Sequence, residues 1–194
     1  MGLFESLYDP MMKPLEWLGV QKWRQLVINK AHGQILEIGA GTGNNFAYYP
    51  ANSVVYALEP SPVLRQKASE KIPSNTNFTL VEGIAEKLPF ADETFDTVIS
   101  TLVLCSVNDL EQAIREMQRV LKSGGRLLLL EHVATRQPLG LALQTAINPA
   151  WKRMFGNCHL NRNTVAAVKK YFPSVATIPF VGDLVVHLDA TKTG

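Results

Sequence analysis

The sequence predicts an α/β fold of doubly wound type: a mostly parallel seven-stranded sheet, helices on both faces, and an antiparallel strand pair at the C-terminal end. Three observations carry this prediction. Short apolar runs recur at 34–38, 54–59, 78–81, 95–100 and 126–131, the pattern of parallel strands buried on both faces. The first run ends in glycines at 39, 41 and 43, and the second ends in an acid, Glu59. Helical segments with recognisable starts lie between later runs, at Ser61-Pro62 and Asp109.

Taken in order, residues 3 to 30 hold Leu3, Phe4, Leu7, Leu15, Trp17, Leu18, Trp23, Leu26 and Val27, broken by Pro10 and Pro14. They read as two short amphipathic helices with a joint. A segment placed before the first strand can fold over the carboxyl ends of the strands, with Tyr8-Asp9 near a ligand; packing against the sheet edge explains the same residues equally well. The run 34–38, its glycines and the run 54–59 predict strand, tight loop, helix, strand. A helix to Lys71 ends at Pro73-Ser74-Asn75, a third strand covers 78–81, and a fourth covers 95–100. Asp109 caps a helix whose Leu110, Ala113, Met117, Val120 and Leu121 share a face, closed by Ser123-Gly124-Gly125. A fifth strand spans 126–131, with His132 at its end. Helices at 138–155 and 163–171 then flank 156–162, and Val181-Gly182-Asp183 joins two closing strands. One domain accounts for residues 1–194: an N-terminal helical lid at 1–30, a cofactor-binding core at 34–133, a helical insertion at 134–172 and closing strands at 174–190.

The glycines and acids suggest a nucleotide ligand. Glu59 lies twenty positions after Gly39, where an acid at a strand tip accepts hydrogen bonds from both hydroxyls of a ribose, as in a Rossmann-like sheet. Between Gly33 and Arg65 the only charged side chains are Glu37 and Glu59, so the phosphate-binding Gly-Lys-Ser/Thr of a P-loop is missing. A dinucleotide fingerprint would place its third glycine at position 44, which is Asn44. Two carboxylates suit a ligand with positive charge and a free ribose, and S-adenosylmethionine carries a sulfonium and an ammonium group.

Composition bounds the rest. With 194 residues, 46% of them hydrophobic, the chain can bury a full core. A net charge of +2 and no Lys/Arg block argue against a nucleic-acid partner. Cys105 and Cys158 have no metal-ligand spacing, so no metal is expected and reduced thiols are the simpler reading. No targeting signal and no apolar run of membrane-spanning length is evident, which points to a cytoplasmic location. Weak contact with a membrane surface through the N-terminal helix is the remaining possibility.

Several motifs together resemble class I S-adenosylmethionine-dependent methyltransferases of the methyltransferase type 11 branch. They are Ile-Leu-Glu-Ile-Gly-Ala-Gly-Thr-Gly at 35–43, Ala-Leu-Glu-Pro-Ser at 57–61, Gly-Ile-Ala-Glu-Lys-Leu-Pro-Phe at 83–90, Phe-Asp-Thr-Val-Ile-Ser-Thr at 95–101 and Arg-Val-Leu-Lys-Ser-Gly-Gly at 119–125. The Leu-Pro-Phe element is similar to the branch with quinone-biosynthesis members. Thr-Leu-Val-Leu-Cys-Ser-Val at 101–107, Leu-Glu-His-Val at 130–133, Asn-Pro-Ala-Trp at 148–151 and Gly-Asn-Cys-His-Leu-Asn-Arg at 156–162 are most similar to the methyltransferase-like family with small-thiol methyltransferase members.

The resemblance implies roles residue by residue. Glu37 with Gly39, Gly41 and Gly43 would hold the methionine end, Glu59 beside Pro60 the ribose, and Gly83, Ile84 and Ala85 the adenine. Backbone at Ser100, Thr101 and Leu102 would take the amino group. Many relatives have Asp where Ile84 stands, so the adenine amine must be met by backbone here. Animal members also carry an apolar N-terminal anchor, where this chain has the short amphipathic segment.

Methyl transfer needs placement and a dry site, and needs a base only where the acceptor must lose a proton. His132, at a strand tip on the ligand side, is the candidate base, with a structural histidine as the competing reading. His159 and Cys158 are weaker candidates, and Cys105 reads as pocket wall because no cationic neighbour is evident in sequence. The expected function is methylation of a small molecule, a thiol or other small lipophilic acceptor. Alternatives are a quinone or lipid acceptor, and a non-catalytic S-adenosylmethionine-binding protein.

Overall fold

A computed structural model describes residue 10, residues 19–74 and residues 76–193. Seven strands form one sheet in the order β3-β2-β1-β4-β5-β7-β6. They are β1 (Gln34–Ile38), β2 (Val54–Leu58), β3 (Asn77–Val81), β4 (Phe95–Thr101), β5 (Leu121–His132), β6 (Val175–Val181) and β7 (Val185–Thr191). The first five pair in parallel; β7 runs antiparallel to β5 and to β6. The doubly wound sheet with a C-terminal antiparallel pair is therefore present. Reversal of strand order between β1 and β4 opens the crevice in which such sheets bind ligands.

Helices cover both faces. Helix α1 (Gln21–Ile28) buries Val27 and Ile28 against Ile35, Ile99 and Leu128 on one face. On the other, α3 (Leu110–Val120) and α5 (Thr164–Tyr171) bury Ile114, Met117 and Val168 against Leu36, Val98 and Leu129. Helix α2 (Pro62–Ser69) bridges β2 to β3, and α4 (Pro138–Met154) opens the insertion. The expected helix starts hold, Ser61 accepting from Leu64 and Asp109 from Gln112, and Asn163, expected as the first residue of its helix, instead caps it by accepting from Ala166.

Two expectations change, and a third falls outside the described residues. The crossover after β1 is a series of turns and a short 3-10 turn, Phe46–Tyr48, where a helix was expected. Gly41 and Gly43 both have positive φ and Pro50 follows, which leaves too little regular chain for a full helix. Secondly, Ser123-Gly124-Gly125 does not follow the helix as a terminator; α3 stops at Val120 and β5 has already begun at Leu121, which pairs with Phe95. The register then shifts before Thr97 pairs with Arg126, so Ser123–Gly125 form an excursion within the strand. Lastly, most of the expected lid, including Tyr8-Asp9, lies outside the described residues. No helix among the described residues is long and apolar enough to cross a membrane.

Candidate active site

The carboxyl ends of β2, β1, β4 and β5 stand side by side. Ile38 is in register with Leu58 and Ser100, and Thr101 with Leu130. Glu59, the glycine loop, Ser100–Leu102 and His132 therefore line one edge of the sheet, and Gly83–Ala85 follow β3 on the same side.

Glu59 is buried and anchors the glycine loop. Its Oε2 accepts from the Gly41 amide at 3.0 Å and its Oε1 from the Ser61 amide at 2.9 Å. Each oxygen of an ionised carboxylate can accept more than one hydrogen bond, so a carboxylate at this strand tip is of the right chemistry for hydroxyl donors. The loop is also tightly packed. A Cβ at Gly39, where φ is +65°, would lie 2.5 Å from the Val103 side chain, so only glycine lets these two loops meet.

Glu37 sits one strand over in a buried network. Its Oε1 accepts from Asn45 Nδ2 at 2.8 Å and its Oε2 from the Tyr49 hydroxyl at 2.9 Å. Asn45 Nδ2 also donates to Thr101 Oγ1 at 2.9 Å, and the buried Arg24 guanidinium donates to Asn45 Oδ1 at 3.0 Å and Thr101 Oγ1 at 2.7 Å. Burial pushes the Glu37 carboxyl up to about 7, against the opposing pull of Tyr49, Asn45 and Arg24.

Beyond β3, Ala85 is buried while Ile84 is 48% exposed, an apolar side chain presented at the strand tip. Gly83 packs on Leu58, where a Cβ would come within 2.7 Å. Pro60 is exposed, and its carbonyl accepts from Arg65 at 2.9 Å.

At the β4 and β5 tips the buried acid is Glu131. Its Oε1 accepts from Ser100 Oγ at 2.8 Å and from the Val103 amide at 3.2 Å. Between those donors Leu102 takes φ +60°, a left-handed conformation rare for a branched apolar residue, held by its amide on the Leu130 carbonyl at 2.7 Å. Burial pushes Glu131 up to about 7, and its Oε2 has no partner among the described residues. His132 follows on the opposite face of the strand. Burial lowers its pKa, so the ring is neutral at pH 7, and Nδ1 is buried without a partner among the described residues.

The structure brings all the expected cofactor residues to one edge, with His132 beside them. It also shows residues that sequence reading passed over. The segment between Gly33 and Arg65 supplies no cation, but Arg24 and Lys71 bring two from outside it, Arg24 donating to Asn45 at 3.0 Å and Lys71 to Asn44 at 2.9 Å. A lone arginine among the buried positions Val20, Val27 and Ile28 of an amphipathic helix was the available signal for Arg24. Glu131 was signalled by being the one acid at the end of a run of four leucines. Arg162 supplies the cationic neighbour that Cys105 lacks in sequence, since it donates to the Leu104 carbonyl at 2.8 Å. No local signal could have shown that, because the partners are 58 positions apart.

An open, mostly parallel sheet with acids at the ends of its first two strands and a glycine loop between them is the arrangement of a nucleotide-binding α/β protein. The comparisons agree. Residues 36–129 match the family described as methyltransferase domain. The chain is 36% identical over 141 residues to thiol S-methyltransferase TMT1B of Rattus norvegicus, covering 70% of this chain and 58% of that protein. It is 35% identical over 152 residues to the ubiquinone/menaquinone biosynthesis C-methyltransferase UbiE of Hahella chejuensis, covering 71% of this chain and 61% of that protein. It thus spans less than two thirds of the length of these relatives. A SAM-dependent methyltransferase from Thermotoga maritima superposes with a TM-score of 0.69 at 22% identity over 98% of both chains, which shows a shared fold. Residues 36–129 thus carry a methyltransferase domain, and the chain is similar in sequence and fold to S-adenosylmethionine-dependent methyltransferases.

The site fits that family's cofactor on its donor set. Glu37 is a buried acid that a cation would help ionise, and Glu59 is a second buried acid beside it that anchors the glycine loop at the strand tips.

Proposed function

We propose that the protein methylates a small lipophilic molecule, with a thiol as the leading acceptor. One observation carries the cofactor half of this reading: two buried carboxylates, Glu37 and Glu59, stand on adjacent strands and flank a close-packed glycine loop. Glu59, beside Pro60, would hold the ribose; Gly83, Ile84 and Ala85 would border the adenine. Glu37, Gly39, Gly41 and Gly43, with backbone at Ser100, Thr101 and Leu102, would hold the methionine end. Arg24 adds a buried cation, joined to Thr101 and Asn45, at a position that suits a carboxylate.

Bound S-adenosylmethionine supplies a methyl group on a sulfonium, open to in-line displacement. The protein's share is orientation and, for a thiol with pKa near ~8.5, removal of a proton. His132 is suited to that step, because burial keeps its ring neutral and its Nδ1 is unengaged among the described residues.

The thiol acceptor is favoured by likeness to proteins named as thiol S-methyltransferases. A quinone or lipid acceptor is the second reading, favoured by the outward-facing Leu139, Leu143 and Met154 of α4 and by likeness to a ubiquinone/menaquinone C-methyltransferase. A cytoplasmic location and weak membrane-surface contact through the N-terminal segment belong to the same proposal. The test is release of S-adenosylhomocysteine with panels of thiols, phenols and quinones. Turnover on thiols supports the first reading and turnover on quinones alone the second. Cofactor binding with no turnover on any of them would overturn both in favour of a non-catalytic role.

A further inference from the structure

The insertion carries reactive side chains that the methyl-transfer reading does not use. Its segment 156–162 is stitched to the loop after β4. The His159 amide donates to the Cys105 carbonyl at 2.8 Å, Asn157 Nδ2 donates to the Ser106 carbonyl at 2.9 Å, and Arg162 donates to the Val107 carbonyl at 2.7 Å. Both sides of this seam hold a non-glycine residue at left-handed φ, Leu102 at +60° and Asn157 at +69°. The stitching brings Cys158, the neighbour of His159, beside Cys105, and both cysteines are free.

The two sulfurs are not equivalent. Cys105 is buried, with its Sγ donating to the Leu102 carbonyl at 3.7 Å and lying 3.6 Å from Ser106 Oγ; the neighbouring Cys158 sulfur, and then burial, hold its thiol well above the usual range. Cys158 is half-buried and so the more accessible of the two, and the Cys105 sulfur beside it, with Ser106 and the Arg162 charge, lowers its pKa despite desolvation. A partly accessible thiolate beside a cation, backed by a protonated partner thiol, is the arrangement of a reactive dithiol.

We propose that Cys105 and Cys158 form an oxidisable dithiol that closes to an intramolecular disulfide, with Cys158 attacking the oxidant and Cys105 resolving. With hydrogen peroxide, the Cys158 thiolate attacks one oxygen and the O–O bond breaks. The departing hydroxide takes up a proton to become water, and Cys158 becomes a sulfenic acid. Cys105 sulfur then attacks Cys158 sulfur; the S–S bond forms, the S–O bond breaks, and the oxygen leaves as water with the Cys105 proton. Two thiols and one peroxide thus give one disulfide and two waters. The bond fixes the insertion to the loop that carries Leu102, covalently joining two walls of the candidate acceptor side.

The test is peroxide treatment of the reduced full chain, followed by alkylation, intact mass and peptide mapping. The expected product has lost two hydrogens, takes no alkyl group at either cysteine, yields a cross-linked 105/158 peptide pair, and is restored by dithiothreitol. Cys105→Ser should leave Cys158 as a sulfenic acid captured by dimedone, and Cys158→Ser should leave Cys105 unmodified under the same exposure. Disulfides only between molecules, or a wild-type Cys158 that goes on to sulfinic acid while Cys105 stays a thiol, would overturn the proposal. If either serine variant fails a circular-dichroism folding check, the wild-type peptide map alone decides. None of these readouts depends on methyl transfer.

Discussion

The acids at the tips of β1 and β2 and the acid at the tip of β5 are buried alike, yet they are served differently. Each oxygen of Glu37 and Glu59 accepts a hydrogen bond from the protein. At the end of β5, Glu131 Oε2 and His132 Nδ1 are consecutive buried atoms with no partner among the described residues. A satisfied network is rigid and suits a ligand of fixed shape, whereas unpaired buried polar atoms are costly and mark a place where a partner is expected. On the proposed function, the first region is the cofactor half of the site and the second the acceptor half.

The largest effect that would break this comparison is on stability against pH. Glu37 and Glu131 both have folded pKa values raised to about 7 by burial, above the ordinary 4.5. The folded state therefore binds more protons than the unfolded chain between about pH 4.5 and 7, and stability falls as pH rises through that window. Each group contributes up to about 3 kcal/mol, all of it present below pH 4.5. Thermal unfolding from pH 5 to 8 should show a falling Tm, and Glu131→Gln should flatten roughly half of the fall. A Tm that rises over that range would mean the two acids are not held protonated by burial.

Cofactor affinity comes next. Glu59→Ala removes a charged acceptor of two hydroxyls and an anchor of the Gly41 amide, and should weaken S-adenosylmethionine binding by about 3 kcal/mol, on the order of a hundredfold in Kd. Unchanged affinity in a calorimetric titration would undo the ribose assignment. A smaller effect falls on the acceptor half. His132→Gln should lower kcat/KM for a thiol roughly tenfold at pH 7, with the deficit shrinking as pH passes the acceptor's own pKa near ~8.5. A deficit constant with pH would make His132 a structural residue. Smallest is Leu139→Ser on the 85% exposed side chain of α4: stability should change by under about 0.5 kcal/mol, while KM for an apolar acceptor rises. Equal KM values for apolar and polar acceptors in both proteins would remove α4 from the acceptor site.

The cofactor half was the more legible in sequence because its signals are local. An apolar run, three alternate glycines and an acid twenty positions on are one supersecondary unit, and the caps at Ser61, Asp109 and Asn163 mark helix starts within single turns. The missing helix after β1 and the early start of β5 at Leu121 were hidden because glycine positions read the same whether they end a helix or bend a strand. The acceptor half depends on neighbours that chain position does not encode: the segment with Cys158 against Cys105, and Arg162 against the loop after β4. His132 was readable as a strand-tip residue, but the buried acid before it becomes notable only when Ser100 and Val103 are seen to share one of its oxygens.

The most direct test of the central claim, that the paired acids form an S-adenosylmethionine site, is calorimetric titration near pH 7 in buffers of different ionisation enthalpy. Nicotinamide dinucleotides serve as controls. The account predicts binding of S-adenosylmethionine with release of protons, because a cation beside Glu37 favours its ionised form, and little or no binding of the dinucleotides. Equal binding of a dinucleotide, or S-adenosylmethionine binding that takes up protons, would contradict it.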